Sequence, residues 1–533
     1  MQGIGGMMNI GLDFGTTYTF ISFIKSGGIL SEFYPSEDGN ATLPSIVVKK
    51  VNGNFETGTS ARKSIGSHGA CVYTGFKMML GVRDEIFLKS RGYDDKYTPE
   101  RITGIYLEKI LNLYFERTHE RKVEKLVVCV PQIWYSTQER LECGTTLKRI
   151  LEKNERVDNV RIISEPSAAC AYLVVNYRKS VGSNFLGKIL VVDYGGGTLD
   201  IALCDVAQNG ERSQVSVLKT TGAGENAEGV IGKAGLAFLE GVVELALKDA
   251  HPEKSRNDFK KCVDDFEGWL FEKTSDIKNR FMSSMFVNFE EIEEEFCTLN
   301  YISNEYPISY GMLAKVYNKL IKPVLEENIN EMIEYMRSNN INYSASAGDT
   351  FKIAMVGGFC GFYLTQLQIR VAFHSSGTDD QRFKDLPADR GECEKAVSFG
   401  ATLISNNIIE FKQYAPYSLG IANMEGQKFY AVRKGDEINY NCPILIGNGI
   451  LFSASRIPRI VFNFFDDENR VQIREPLEKY RRSLVFDPNK MMKLAFSFDE
   501  SMVITLHQYI DDNEQKVRLD SLPELLGGGL LDV

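Results

Sequence analysis

The sequence predicts an α/β protein of two lobes related by an old duplication, followed by an all-β C-terminal module. Three observations carry this prediction. Two apolar runs, 9–25 (NIGLDFGTTYTFISFIK) and 189–206 (ILVVDYGGGTLDIALCDV), each place an Asp after a short strand and a glycine–threonine turn before a second strand. Helical stretches separate these two hairpins, so they fall at matching places in two halves of one layered unit. Beyond about residue 405 the helical patterns stop, and short β-like runs punctuated by turn residues replace them.

In chain order, the first hairpin is followed by an amphipathic helix over 100–121, with Ile102, Ile105, Ile110, Leu113 and Tyr114 near one face. The strand LVVCVP then leads to a helix over 136–153. In RIISEPSAACAYL a strand ends at Glu165, and Pro166 suits the first turn of the next helix. The small residues Ser167, Ala168, Ala169 and Ala171 permit a close helix crossing. After the second hairpin come helices over 233–249, 258–284 and 312–336, the last interrupted at Pro323. A third strand-to-glycine segment, FKIAMVGGFCGF, spans 351–362. The expected organisation is one two-lobed unit over 1–405, a linker over 406–414, a β-module over 415–520 and a flexible tail over 521–533.

Composition narrows the function. Lys+Arg total 61 against Asp+Glu 71, a net charge of −10 with no basic run, which argues against a nucleic-acid surface. No apolar stretch reaches the ~18–20 residues of a membrane span, and the N-terminus lacks a signal-peptide pattern. The ten cysteines form no C-x-x-C pair and the five histidines are dispersed, so neither a zinc site nor a disulfide framework is expected. Free core thiols in a reducing cytoplasm fit this usage. The acidic run FEEIEEEF at 289–296 reads as a solvated face.

The glycine turns carry the chemistry. Backbone N–H groups in such a turn can converge on a phosphate with no Cβ in the way. Gly15, Thr16 and Thr17 offer that geometry once, and Gly195, Gly196, Gly197 and Thr198 offer it again. Asp13 and Asp193 precede the turns. Like charges repel, so these carboxylates serve phosphate by holding Mg²⁺, directly or through its waters. Two such turns in register, together with Gly357 and Gly358, predict a clamp around a nucleotide tail. Glu165, at a strand end between the hairpins, joins the candidate site.

Together these segments resemble the nucleotide-binding part of the 70-kilodalton heat-shock protein (DnaK-like) family, within the actin-fold ATPases, over about residues 8–405. LDFGTTYT resembles the first phosphate loop and VVDYGGGTLDIAL the second. IISEPSAACAY is similar to a connecting helix, MVGGF to the adenosine loop and ECEKAVSFGAT to the closing helix. The resemblance implies ATP and ADP as ligands, Mg²⁺ as cofactor and a slow ATPase. It implies catalytic roles for Lys77, Glu165, Asp193, Thr198 and Asp13, with Asp13, Glu165 and Asp193 arranging the metal. It also implies phosphate contacts from Thr16, Thr17, Tyr18 and Gly195 to Gly197, and adenosine contacts from Asp276, Arg280, Ser283, Gly357, Gly358 and Glu394.

The chain departs from the family in four places. Phe359, Cys360 and Gly361 stand where small and basic residues are expected, which implies a weaker grip on adenine. GENAEGVIGKA at 224–234 replaces an acidic lobe-closing stretch, and Glu139 follows Gln138 where an arginine is expected. IIEFKQY occupies the place of an apolar-acidic linker. APYSLGIAN and LAFSFDESMVITLHQYID resemble parts of the family's β-sandwich peptide-binding domain, and no helical lid is recognisable after Asp520.

The expected function is therefore a lidless, chaperone-like ATPase that couples hydrolysis to binding of unfolded or extended polypeptide. It would be cytoplasmic and monomeric, with a J-domain co-chaperone or exchange factor as possible partner. A nucleotide-switched scaffold with one dedicated partner and little turnover is the alternative. A filament former or a sugar kinase of the same fold is less compatible with the EPSAACAY helix and the β-module.

Overall fold

The computed structural model describes residues 8–519 except 36–40, 83, 137–140, 211, 225–233, 255, 376–378, 387–389, 424–425, 454–458, 464–472, 477–483, 486, 488 and 512. The departures at Gln138 and Glu139, nearly all of 224–234 and the tail 521–533 lie outside the described residues.

Both predicted hairpins form. Strands Met8–Phe14 and Tyr18–Lys25 pair antiparallel, with Asp13 opposite Phe20. Strands Gly187–Tyr194 and Thr198–Asn209 pair the same way, with Asp193 opposite Asp200. Each hairpin sits in its own sheet, and the two sheets match in plan. In the first, Ile29–Glu32 flanks the hairpin on one side and Val123–Val130 runs parallel to Met8–Phe14 on the other, with Val157–Ser164 beyond it. In the second, Arg212–Gly224 and Phe351–Val356 take the same flanking places. The inner strands read as near-continuous apolar runs because helices cover both faces.

Two helices, Glu165–Val181 and Arg390–Ser405, pack against each other between the sheets. Their approach is close: a Cβ on Gly400 would stand 1.6 Å from the Ala168 carbonyl oxygen. Only glycine on one helix, facing the small-residue face of the other, allows that crossing. The Arg390–Ser405 helix also holds the first hairpin, where Ser22 Oγ donates to the Ser398 carbonyl at 2.7 Å.

Two helical expectations change. The stretch 258–284 divides into Lys260–Glu272 and Thr274–Ser283. The Thr274 hydroxyl donates back to the carbonyls of Leu270 and Phe271, at 3.0 Å each, and competes with the helical ladder. The stretch 312–336 becomes Tyr310–Val316, a π-turn over Tyr317–Ile321 and Lys322–Ser338. Pro323 brings no N–H and would clash with the preceding turn, so the ladder widens just before it.

The expected linker holds a strand. Glu410–Lys412 pairs parallel with Arg212–Gly224 and extends the second sheet at its edge. The chain beyond it forms two further sheets. One contains Lys428–Val432, Ser418–Ala422, Arg459–Asn463 and Ile473–Pro476; the other contains Ile444–Leu445, Met491–Phe498, Ile504–Ile510 and Asn513–Arg518. Leu419, Ile421 and Phe462 of the first share one buried cluster with Leu494, Phe496 and Leu506 of the second.

This β-module touches the first lobe through the turn after Phe498. Lys148 pairs with Asp499 at 2.7 Å and Lys125 with Glu500 at 2.9 Å. The Ile162 amide donates to Ser501 Oγ at 2.9 Å. All ten cysteines are free thiols and seven are buried. Among the described residues, no helix is long and apolar enough to cross a membrane.

Candidate functional site: a cleft between the two glycine turns

The two turns face each other across a cleft. Their contact is direct. A Cβ on Gly196 would stand 2.1 Å from Thr17 Oγ1, and one on Gly197 would stand 2.2 Å from Thr16 Oγ1. Glycine in the second turn is therefore what lets the first turn's threonines approach. Asp13, Gly15, Thr16, Thr17, Tyr18, Lys77, Glu165, Asp193, Gly195, Gly196, Gly197, Thr198, Gly357, Gly358 and Glu394 all line this one cleft.

Lys77 is 1% exposed, on the short helix Phe76–Met79 that follows a left-handed Gly75. Its ammonium donates to Glu165 Oε1 and lies over the rings of Phe14 and Trp134, at 5.7 and 5.9 Å. Glu165 opens the Glu165–Val181 helix, where the helix N-terminus favours negative charge. Its neighbours pack tightly, with Ser164 and Ser167 hydroxyls 2.6 Å apart.

Three more carboxylates crowd this pair. Burial, then Glu165, pushes Asp13 up to about 8, and Lys77 opposes the shift. Burial, Glu165, Asp200 and Asp13 together raise Asp193 well above the usual carboxylate range. Asp200 is pushed up to about 7, chiefly by burial. One Asp200 oxygen accepts from the Gln132 amide at 2.8 Å, and this bond and the Thr198 hydroxyl oppose the rise. Three buried carboxylates and the half-buried Asp13 against one ammonium leave this region short of positive charge.

That deficit fits a divalent cation, and Asp13, Glu165 and Asp193, expected to hold it directly or through its waters, all line the cleft. Among the described residues, no group of three or more His, Cys, Asp or Glu side chains is placed to hold a metal ion together. Glu165 is already engaged by Lys77. The arrangement suits Mg²⁺ carried on phosphates, with the carboxylates reaching its water shell.

Of the residues expected to contact adenosine, Gly357, Gly358 and Glu394 line the cleft, and Asp276, Arg280 and Ser283 are not among its lining residues. The break at Lys273 sets the phase of Thr274–Ser283 so that Ile277 and Phe281 point inward. Asp276 and Ser283 are exposed, Ser283 Oγ bonds the Arg280 carbonyl at 2.9 Å, and Arg280 pairs with Glu294 at 2.7 Å. The cleft instead takes Glu267, Leu270, Thr274 and Ile277 from these helices, with Phe359, Phe362 and Tyr363 opposite. The first three follow an i, i+3, i+7 spacing, a signal present in the sequence but indistinguishable there from an ordinary helix stripe.

A second group, of which the sequence reading named only Tyr18, bridges the lobes beside the cleft. Arg62 donates to Tyr18 Oη at 2.9 Å and pairs with Asp264 at 2.6 Å and Glu267 at 3.2 Å. Tyr18 Oη donates to Glu267 at 3.1 Å. These residues come from opposite walls of the cleft, so the network ties the walls together.

Comparison with known proteins agrees with this geometry. The family model described as Hsp70 protein matches residues 9–360. The chaperone protein DnaK of Metamycoplasma hominis is 30% identical over 217 residues, covering 40% of this chain and 32% of that protein. DnaK of Thermotoga petrophila is 27% identical over 214 residues, covering 40% and 32%. A heat shock protein homolog of Encephalitozoon cuniculi is 27% identical over 256 residues, covering 39% and 36%. The matches thus span about a third of the length of these curated relatives.

Proposed function

The chain belongs to the Hsp70 family, and from that premise we propose that it binds Mg-ATP, hydrolyses it slowly and couples the nucleotide state to binding of extended polypeptide. The observation that carries the reading is the pair of opposed glycine turns with a buried Lys77–Glu165 pair between Asp13 and Asp193. The turn amides, with the hydroxyls of Thr16, Thr17 and Thr198, would cradle the phosphates, and no covalent step on the protein is needed. Mg²⁺ bound with the phosphates would be reached by Asp13 and Asp193 through its waters and would neutralise phosphate charge.

In hydrolysis a water oxygen bonds to the γ-phosphorus while the bond to the bridging oxygen breaks, and that electron pair leaves with ADP. Lys77 and Glu165 orient the water. The proton it sheds passes to solvent. The base and ribose lie toward Glu267, Leu270, Thr274, Gly357, Gly358 and Tyr363.

The nucleotide unit in this proposal is residues 1–405, and the β-module over 415–520 is a sandwich that takes the polypeptide. Coupling rests on two contacts, the Glu410–Lys412 strand on the second sheet and the Asp499–Ser501 turn on the first lobe. The partners implied are unfolded segments and, by family, a J-domain co-chaperone or exchange factor. Steady-state ATP hydrolysis with Mg²⁺, with and without a pool of hydrophobic peptides, tests it. Slow turnover raised by peptide is expected. Tight nucleotide binding without turnover, or turnover indifferent to every peptide, would replace it with a nucleotide-switched scaffold.

A further inference from the structure

The base end of the cleft is lined by Leu239, Leu270, Ile277, Phe359, Phe362 and Tyr363. Its aromatic wall is fixed from behind. Phe359 meets Tyr194 edge-on, with ring centres 5.3 Å apart, and lies 5.2 Å from Phe238. Phe362 is nearly parallel to Phe359, at 5.5 Å and 15°. Tyr363 lies parallel to the buried Phe281, at 6.4 Å and 8°. Rings held in this way offer fixed faces and edges, which suits a flat aromatic ligand.

The polar side chains at this end are ill suited to telling one base from another. Among the described residues that line the cleft, the only Lys or Arg is Lys77, at the phosphate end, and none is Asn or Gln. Thr274 Oγ1 gives its hydrogen to the carbonyls of Leu270 and Phe271, at 3.0 Å each. Glu267 accepts from Tyr18 at 3.1 Å and from Arg62 at 3.2 Å, within the bridge between the lobes. The Tyr363 hydroxyl donates or accepts as it rotates, so it meets an amino group and a carbonyl equally well. Glu394 lies beside Gly358, where an added Cβ would stand 3.7 Å from its Oε1. A carboxylate is an acceptor only, and the ribose hydroxyls that every ribonucleotide carries are donors for it.

We propose that this end stacks a nucleobase without identifying it, so that the chain takes nucleoside di- and triphosphates of any base and selects them by phosphate and ribose. The proposal rests on the nucleotide reading and sets its substrate class. A site that hydrogen-bonds one particular base rejects ligands lacking the matching group by about 10⁴–10⁵-fold, whereas an apolar slot rejects a ligand of similar shape only weakly. Stacking on an aromatic side chain is available to every base, because every base has a π-face. The phosphate end, built from Gly195, Gly196, Gly197 and the hydroxyls of Thr16, Thr17 and Thr198, meets the same groups whichever base is attached.

The test titrates the full chain calorimetrically with the Mg²⁺ complexes of ADP, GDP, CDP and UDP. Four dissociation constants within about tenfold of one another are expected, the purines ahead of the pyrimidines because they stack more strongly. Tyr363→Ala is expected to weaken all four by a common factor of about five or more. Glu394→Gln is expected to weaken all four and leave their ratios unchanged. Wild-type protein that binds ADP more than about tenfold tighter than GDP would overturn the proposal alone. So would a preference for ADP that either substitution erases, since that side chain would then be reading the base. A chain that bound none of the four would overturn the nucleotide reading and this one with it.

Discussion

The two ends of the cleft are built from different materials. At the phosphate end, backbone turns and buried carboxylates do the shaping: Gly196 and Gly197 press on Thr17 and Thr16, and Lys77 is locked to Glu165. At the base end, side chains on two helices face aromatic residues, including Phe362 and Tyr363. The first end tolerates almost no change of atom position. The second is a set of apolar contacts whose cost is graded by area and shape. On the proposed function, the difference separates the end assigned to chemistry from the end assigned to affinity.

The largest effect that would sharpen this contrast is on turnover. Asp193→Asn removes one of the buried charges facing the phosphates and is expected to lower the hydrolysis rate about 10²–10³-fold, measured by steady-state phosphate release. A middle effect belongs to the turns. Gly196→Ala places a Cβ 2.1 Å from Thr17 Oγ1, and overpacking of about 1–3 kcal/mol corresponds to roughly five- to 150-fold weaker ADP binding by fluorescence titration. The smallest effects belong to the base end. Thr274→Ala is expected to weaken ADP binding only about two- to fivefold, the scale of one neutral hydrogen bond or less. Arg280→Ala, whose ion pair with Glu294 lies off the cleft, is expected to leave it within about twofold, as for a surface ion pair. A loss at Arg280 as large as that at Gly196 would break the comparison.

The same contrast explains what the sequence made legible. Both hairpins could be read because near-continuous apolar runs closed by glycine turns are local signals, and a turn that needs glycine leaves no substitute. The C-terminal strands were legible for a similar reason: Leu494, Phe496 and Phe498 alternate with Lys493, Ala495 and Ser497 along one strand. The base end was not legible. Its residues lie on helices whose phase depends on the break at Lys273, and no local signal in the sequence marks that break. The Glu410–Lys412 strand was also invisible, because three residues carry no period and the pairing comes from the neighbouring Arg212–Gly224 strand. Lys77 sits in a four-residue helix with no pattern of its own, and only the resemblance to a family singled it out.

The central claim is that the buried Lys77–Glu165 pair, between the opposed turns, carries hydrolysis while the turns carry binding. The most direct measurement is single-turnover cleavage of Mg-ATP by wild type and Lys77→Ala, with ADP affinity measured on the same preparations. The account predicts cleavage slowed at least about a hundredfold in the variant, with ADP affinity within about tenfold of wild type, a change of 1.4 kcal/mol or less. Equal cleavage rates in the two proteins would contradict it.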